Sequence, residues 1–341
     1  MTHLAVLCVR NEAAFMLEWL AHHRATGFDD FLVFSNNCQD GTDLMLDRLE
    51  ALGHLAHLRN DGPYDGRGIQ FTALQQAAKH PRVKAADWIL PLDIDEFVNI
   101  HVGAHRLPDL HAALPHATAI TLTWRLFGSA AQVRYTDTPV LQTFTRCAPR
   151  IIHWPWRAAM FKTLYRNDGS YAKPGVHRPR SPKVAALKNA VWADGAGRTL
   201  PEPFKTKRIF SDYGRDNHAL VQLNHYPLGA LESYLLKTDR GRAVHSDDRL
   251  GMDYFVERNF NTDTDTSIAA LAEPRATALA ELMADPELAR LHKQAVAWRH
   301  QRFEALMAED APRALFGRLL MTPPSVPLTR QQAQFLQRAA R

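Results

Sequence analysis

A chain of 341 residues is long enough for one large domain or two ordinary ones. Its residues are 46% hydrophobic and 23% charged, which argues against a disordered, collagen-like or coiled-coil protein. The formal net charge of +5 is spread along the chain, and no nucleic-acid-binding motif is present, so nucleic acid is not an expected partner. An anionic small ligand such as a nucleoside diphosphate suits this charge, although the basic surface of an enzyme explains it more simply.

The cysteines and the apolar runs indicate the compartment. Cys8, Cys38 and Cys147 are far apart and form no C-x-x-C pair, so neither a disulfide framework nor a thiolate zinc site is predicted. The N-terminal apolar run of six residues is too short for a secretory signal. No window reaches the roughly 18 apolar residues that a membrane span requires. We therefore expect a cytoplasmic protein without a membrane span.

The first hundred residues alternate between short apolar runs and segments of helical periodicity. This order is typical of a doubly wound parallel sheet, in which ligands bind at the carboxyl ends of the strands. All four predicted strand ends are polar, and three carry carboxylates. We expect strands at residues 4–9, 31–35, 53–60 and 87–92, and helices at residues 12–28, 43–53 and 69–80.

After residue 118 the pattern predicts a mixed extension of the same sheet. No linker or low-complexity segment interrupts it, so we assign residues 1–265 to one α/β domain. Residues 266–341 are rich in Ala, Leu and Arg and predict a helical extension whose basic faces leave peripheral membrane contact open. The extension of the sheet is expected to contain strands at 118–129, 158–166 and 219–228, helices at 138–147 and 229–241, and a hairpin at 191–197.

The fourth predicted strand is followed directly by Asp93, Asp95 and Glu96. On an extended segment Asp93 and Asp95 face the same side, whereas Glu96 faces away and can brace the loop. Two such carboxylates suit Mg²⁺ or Mn²⁺, which can neutralise charge on a diphosphate leaving group. A solvated turn or a helix N-terminus explains a bare D-x-D pair better than a metal site does, so the place of this pair at a strand end is what favours the metal site.

Other nucleotide and hydrolase motifs are missing. The first strand is followed by RNEAAF, without the G-x-G-x-x-G of a dinucleotide site, and there is no P-loop. The FGSA segment at 127–130 is not a G-x-S-x-G nucleophile elbow, so no serine hydrolase is predicted.

Several ordered blocks have a pattern in common with one enzyme family. They are RNE at 10–12, EW at 18–19, DGT at 40–42, DIDEF at 93–97, HY at 225–226 and RG at 240–241. In this order they resemble the family-2-like glycosyltransferases of the GT-A fold, over roughly residues 4 to 245. The resemblance implies a hexosyltransferase that moves a sugar from a nucleotide-diphosphate donor to an acceptor hydroxyl, with inversion, in glycan or polysaccharide synthesis.

The resemblance also implies a metal and a nucleotide pocket. Asp95 would coordinate Mn²⁺ or Mg²⁺, and Asp93 would face the ion together with the ribose and diphosphate of the donor. His225 would return to the metal from the later part of the sheet, since neutral imidazole is a competent ligand. His177 is a weaker candidate for the donor pocket, because most of the 17 histidines must be ordinary core or surface residues. The residues implied to hold the nucleotide are Arg10, Asn11, Glu12, Asn36, Asp65 and Arg67.

The expected site also contains a basic segment and a catalytic base. Lys237, Arg240 and Arg242 could fold over the diphosphate and exclude water, although a solvated basic face is an equal explanation. An inverting transfer needs a carboxylate to take the acceptor's proton. The candidates for this base are Asp253, Glu257 and Asp137, and Trp124 and Phe127 are candidates to stack on a sugar ring, unless they are core residues.

Two alternatives stay open on the sequence alone. A nucleotidyltransferase shares the α/β sheet and the carboxylate-held metal, but it usually needs a glycine-rich basic loop where this chain has VRNEAAF. A non-catalytic module that binds nucleotide sugars or glycans is the other, and metal-dependent donor hydrolysis would separate it from an enzyme.

Overall fold

The structure of the protein, a computed structural model, describes residues 1–64, 66, 68–241 and 250–339. The strands are β1 (His3–Val9), β2 (Asp30–Ser35), β3 (Ala56–Arg59), β4 (Trp88–Leu92), β5 (Glu96–Ile100), β6 (Ala119–Leu126), β7 (Arg146–Cys147), β8 (Phe161–Arg166), β9 (Tyr171–Lys173), β10 (Arg180–Pro182), β11 (Trp192–Asp194), β12 (Val221–His225) and β13 (Asp263–Thr264).

The helices follow the same chain order. They are α1 (Ala13–Thr26), α2 (Thr42–Ala51), α3 (Ile69–Ala77), α4 (Pro81–Ala85), α5 (Leu107–Ala113), α6 (Val140–Thr143), α7 (Val184–Leu187), α8 (Glu202–Thr206), α9 (Leu231–Arg240), α10 (Met252–Val256), α11 (Ala272–Met283), α12 (Pro286–Met307), α13 (Asp310–Met321) and α14 (Arg330–Ala339), with 3₁₀ turns at Trp156–Ala159 and Ser267–Leu271. None of these helices is long and apolar enough to cross a membrane.

One mixed sheet organises the molecule, with the strand order β3-β2-β1-β4-β8-β6-β12-β5 and with β11 attached to β6. The half made of β3, β2, β1 and β4 is parallel, because α1, α2 and α3 return the chain to the same edge after each strand. In the other half, β8 runs antiparallel to β4 and β6, and β5 runs antiparallel to β12. The predicted α/β class, with a doubly wound start, a mixed continuation and C-terminal helices, is confirmed.

Three local predictions differ from the structure. Strand β5 was not predicted, because its residues follow β4 so closely that both read as one apolar run. The helix predicted at 138–147 is only the short α6, and the chain then forms β7. The third difference is an added pairing. The hairpin predicted at 191–197 forms, with an antiparallel bridge between Ala193 and Thr199, but its first strand β11 also pairs in parallel with β6.

Helix α1 is buried on nearly all sides. It ends where Gly27 takes a left-handed φ of 106°, which a glycine adopts without steric cost, and the N–H of Phe28 then bonds back to the carbonyl of His23. One side of α1 packs on the sheet and the other on α11 and α12, so that Leu282, Leu288 and Leu291 belong to the same core cluster as α1. The C-terminal helices are therefore packed onto the core of the sheet.

Burial of α1 makes His22 a pH-dependent element of stability. His22 is fully buried, its Nε2 donates to the carbonyl oxygen of Val98 at 2.8 Å, and burial lowers the pKa of its imidazole to about 3. In the unfolded chain the ring binds a proton below pH about 6.5, which the folded state resists, so stability is lost as pH falls below that value.

We expect His22 to lower the free energy of unfolding by about 3 kcal/mol as the pH falls from 7 to 4. The measurement is denaturant unfolding of the wild type and of His22→Gln at several pH values. Because the variant lacks this titrating ring, its free energy of unfolding should rise by that amount relative to the wild type as the pH falls. Parallel pH dependences would contradict the prediction.

Candidate active site

The acidic segment forms a tight turn between β4 and β5. The N–H of Glu96 donates to the carbonyl oxygen of Asp93 at 3.1 Å, and residues 94 and 95 form the turn itself. The prediction that Asp93 and Asp95 lie on an extended segment, with their side chains on one face, is therefore wrong. The turn directs the two carboxylates to different partners.

Asp93 faces a fully buried lysine. Its two carboxylate oxygens accept hydrogen bonds from Gln70 at 2.9 Å and from the Lys162 ammonium at 2.8 Å. Lys162 also lies 3.5 Å from Glu96, and neither of these two side chains is exposed. Burial would lower the pKa of Lys162, but Asp93 and Glu96 raise it above its usual value, so the ammonium keeps its charge.

Glu96 braces the turn, as expected from the sequence. Its carboxylate accepts the backbone N–H of Asp93 at 2.9 Å and the indole N–H of Trp124 at 2.6 Å. Burial raises the pKa of Glu96. Trp124 is thereby fixed as a wall of the site, and Phe127 is fully buried in the core, so neither ring is free to stack on a sugar.

Asp95 faces a second buried lysine. Its Oδ2 accepts a hydrogen bond from the Lys237 ammonium at 2.6 Å and lies 3.6 Å from Nε2 of His225. Lys237 also donates to the carbonyl oxygen of Pro227 at 2.8 Å. Burial alone would raise the pKa of Asp95, but the adjacent Lys237 ammonium lowers it well below its usual value. Asp95 is therefore a carboxylate that is already paired with a cation.

Both histidines contact the ring of Trp124. The ring of His225 is 4.2 Å from the indole and that of His177 is 5.8 Å from it. Burial lowers the pKa of both imidazoles, so both are neutral. Within the described residues, Nδ1 of His225 is buried without a hydrogen-bond partner, whereas Nδ1 of His177 donates to the carbonyl oxygen of Phe161 at 3.0 Å.

The RNE block at the end of β1 is tied to the end of α9. The Arg240 guanidinium donates to the Glu12 carboxylate and, at 2.9 Å, to the carbonyl oxygen of Arg10, while Arg10 donates to the carbonyl oxygen of Arg240 at 3.0 Å. Asn11 takes a left-handed φ of 55°, which asparagine tolerates, and its side chain accepts the N–H of Gln39. The structure thus joins residues 230 positions apart into one wall.

The other predicted nucleotide ligands have mixed outcomes. Asn36 is buried at the end of β2, and its Nδ2 has no hydrogen-bond partner in the described part of the chain. Asp65, Arg67 and Arg242 lie outside the described residues.

A cleft opens beside Asp95 and Lys237. It lies between the start of α1, the segment 134–144, residues 226–240 and α12. Neither Lys162 nor any α12 residue was expected from the sequence to belong to the site, because the pairing of distant elements leaves no local signal. Each of these elements contributes an aromatic side chain to the lining, and Phe15, Tyr135 and Trp298 are among them.

The three candidate bases lie elsewhere. Asp137 is half exposed and bonded to His292 at 2.9 Å, and Asp253 is exposed on α10. Glu257 lies 3.7 Å from Arg157. None of the three is among the described residues that line the cleft, where Glu12 and Asp95 are the described side chains that carry carboxylates.

The expected metal ligands fit in part. Asp95 and His225 offer the carboxylate oxygen and neutral imidazole that Mn²⁺ accepts, and Nε2 is the imidazole nitrogen that faces the carboxylate, at 3.6 Å. Asp93 is bonded instead to Lys162 and Gln70. Among the described residues, no three His, Cys, Asp or Glu side chains are grouped closely enough to hold an ion. A divalent ion at Asp95 must therefore compete with the Lys237 ammonium.

Comparison with known proteins gives distant structural neighbours. No protein-family model and no curated protein matches the chain. Residues 1–349 of TarS from S. aureus, in complex with UDP-GlcNAc, match 84% of this chain and 73% of that one at 14% identity, with a TM-score of 0.36. The longer TarS structure matches 69% of this chain at 14% identity, with a TM-score of 0.33. The match spans only 38% of the length of that TarS chain. Glucosyl-3-phosphoglycerate synthase from Mycobacterium tuberculosis, solved with Mn²⁺, UDP and glucosyl-3-phosphoglycerate, matches 36% of this chain and 44% of that one at 15% identity, with a TM-score of 0.24.

Proposed function

We propose that the chain is a glycosyltransferase that moves a sugar from a nucleoside-diphosphate donor to an acceptor hydroxyl. The observation that carries the proposal is the meeting of Asp95, His225 and Lys237 at one sheet edge, although 142 residues separate Asp95 from Lys237. Arg240 connects this edge to the RNE block. Cations at the carboxyl ends of strands are what recognition of a diphosphate requires.

The residues at this edge have separate roles in the proposal. Lys237 and Arg240 supply positive charge to the diphosphate leaving group, and Asp95 orients Lys237 through its hydrogen bond. Nδ2 of Asn36, which has no hydrogen-bond partner among the described residues, would donate to the base or ribose. Arg10, Asn11, Glu12, Asp93 and His177 are proposed to contact the rest of the nucleotide. Asp65 and Arg67 stay proposals as nucleotide ligands, and both lie outside the described residues.

We assign a divalent cation, Mn²⁺ or Mg²⁺, to Asp95 and His225, with Asp93 turned toward Lys162. A bound ion would neutralise the charge that develops on the diphosphate as the bond to the sugar breaks. Lys237 is the competing cation for the same carboxylate, so the dependence on metal is an experimental question with two defined outcomes.

The transfer is proposed to proceed with inversion at the sugar. The acceptor oxygen forms the new bond to the anomeric carbon while the bond to the diphosphate breaks, and a carboxylate takes the acceptor's proton. Asp137, Asp253 and Glu257 stay proposals for this base, but each would have to approach the cleft from outside its present lining.

The wider setting is part of the same proposal. We expect a hexosyltransferase of glycan or polysaccharide synthesis in the cytoplasm, where the three free cysteines would stay reduced. Residues 1–265 would form the catalytic domain, and the helices of 266–341 would complete its cleft and could provide any peripheral membrane contact.

The test is calorimetric titration of UDP, GDP, CDP and dTDP into the protein, first with Mn²⁺ and then with EDTA. We expect one nucleotide to bind, and to bind at least tenfold more weakly with EDTA or in Asp95→Asn, because the diphosphate then lacks the divalent cation. Asp310→Asn is the matched control, since Asp310 is almost fully exposed at the start of α13.

The alternative outcomes are distinct. Binding and turnover that survive EDTA but disappear in Lys237→Met would show that the ammonium, and not a metal ion, serves the diphosphate. Binding of a nucleotide without hydrolysis or transfer of its sugar would favour the non-catalytic module. If none of the four nucleotides binds under either condition, the proposed function is wrong.

A further inference from the structure

The cleft beside Asp95 contains a buried arginine that the donor site does not use. Arg299 of α12 lines the cleft, and only 6% of its surface is exposed. Its guanidinium lies over the rings of Phe15 and Tyr135, 4.6 and 4.5 Å from their centroids, and donates to the hydroxyl of Ser233 at 2.9 Å. Its Nε is buried and has no hydrogen-bond partner in the described part of the chain.

A buried guanidinium is costly unless an anion compensates its charge. The carboxylates of Glu232 and Asp40 interact with Arg299 electrostatically, but each accepts backbone N–H groups elsewhere. Neither forms an ion pair with it within the described residues. Contact with two aromatic rings offsets part of the cost, by about 0.5–2 kcal/mol per ring. An anionic ligand would supply the rest.

The cleft as a whole also carries a positive net charge. Its described lining carries four cationic side chains and two carboxylates. Two of these cations are already paired, Arg240 with Glu12 and Lys237 with Asp95. Among the described side chains, the lining therefore retains two cations without an ion-pair partner, the buried Arg299 and the exposed Arg134.

We propose that this cleft binds the acceptor, and that Arg299 and Arg134 recognise an oxyanion, a carboxylate or a phosphate, that the acceptor carries. The proposal rests on the proposed function, because the cleft is an acceptor site only if a donor binds at the Asp95 edge. The aromatic side chains Phe15, Tyr135 and Trp298 give the same cleft apolar walls, which suit the carbon face of a hydroxylated compound. The acceptor class is thus an anionic hydroxyl compound and not a neutral sugar alone.

The experiment measures anion binding to the protein saturated with its nucleoside diphosphate, so that the donor's phosphate positions are already filled. Inorganic phosphate, acetate and neutral glycerol are titrated by calorimetry. We expect saturable binding of an anion and none of glycerol. A phosphate preference indicates a phosphate-bearing acceptor, and an acetate preference indicates a carboxylate.

The variants decide whether the two arginines are responsible. Arg134→Gln and Arg299→Gln should each weaken anion binding about tenfold, the value of one charge-assisted hydrogen bond. Arg290→Gln is the matched control, because Arg290 is a half-exposed arginine of the same helix, paired with Glu287, and its loss should change nothing. If Arg299→Gln does not fold, the exposed Arg134 carries the test, and Arg299→Lys keeps the charge while removing the Nε donor.

Failure of this inference can be told apart from failure of the proposed function. Nucleotide binding with no anion binding, or anion binding that is unchanged in both arginine variants, would overturn the acceptor assignment and leave the donor site intact. Arginine-dependent anion binding without any nucleotide binding would keep the anion site but remove its role as an acceptor site, and would therefore overturn the proposal as stated.

Discussion

Asp95→Asn is expected to lower sugar transfer on the order of a thousandfold while leaving the protein folded. Asparagine keeps the shape of the side chain and an oxygen that can accept the hydrogen bond of Lys237. It removes the negative charge that would bind a divalent ion and that holds the ammonium at the diphosphate position. The measurement is the initial rate of nucleoside-diphosphate release in the presence of donor and acceptor, normalised to the folded fraction.

The choice of asparagine matters because Asp95 is not a free loop ligand. The sequence alone predicts that Asp95→Ala disturbs nothing but activity, whereas in the structure this change leaves the largely buried Lys237 ammonium without its counter-ion. We expect Asp95→Ala to cost about 3 kcal/mol of stability in addition to its activity. The double variant Asp95→Ala with Lys237→Met should recover most of that stability and none of the activity. A folded Asp95→Asn protein that works within tenfold of the wild type would refute the assignment.

The sequence predicts the first half of the sheet well because its information there is local. Each strand from β1 to β4 is a short apolar run separated by a helix of clear periodicity, and right-handed crossovers leave one topology. Strand β5 carries no such signal. It begins four residues after β4, and what makes it a strand is pairing with β12, more than a hundred residues later.

The same limit explains the outcome at the site. The resemblance of ordered blocks brings Asp95, His225 and Lys237 into one neighbourhood, and the structure places them together. The sequence does not indicate that Lys162 belongs to the site. Its position in β8 determines the side of the sheet on which its side chain lies, but not which residues it contacts there. Arg299 is missed for a similar reason, because a buried arginine on a helix reads in sequence like the solvated arginines around it.

Lys162→Met is expected to lower the free energy of unfolding by about 3–5 kcal/mol. The Lys162 ammonium is fully buried between Asp93 and Glu96, at 2.8 and 3.5 Å from their carboxylate oxygens. Without it, two carboxylates share the acidic turn with no counter-ion among the described side chains other than the Lys237 that serves Asp95. The matched control is Lys84→Met on the exposed surface of α4, which should change stability by less than about 0.5 kcal/mol.

The stability that Lys162→Met loses should depend on pH, because the buried Glu96 titrates beside Lys162. Burial raises the pKa of Glu96 to about 8 in the wild type, and removal of Lys162 raises it further. The folded wild type therefore releases this proton near pH 8, whereas the folded variant keeps it to higher pH. Because the folded variant must hold the proton where the wild type no longer does, the deficit of Lys162→Met should be larger at pH 9.5 than at pH 6. Adding Glu96→Gln should restore part of the stability at pH 8, because the amide keeps a hydrogen-bond acceptor for Trp124 without the charge. A deficit that is independent of pH, or below about 1 kcal/mol, would mean that the buried lysine is not what holds the acidic turn.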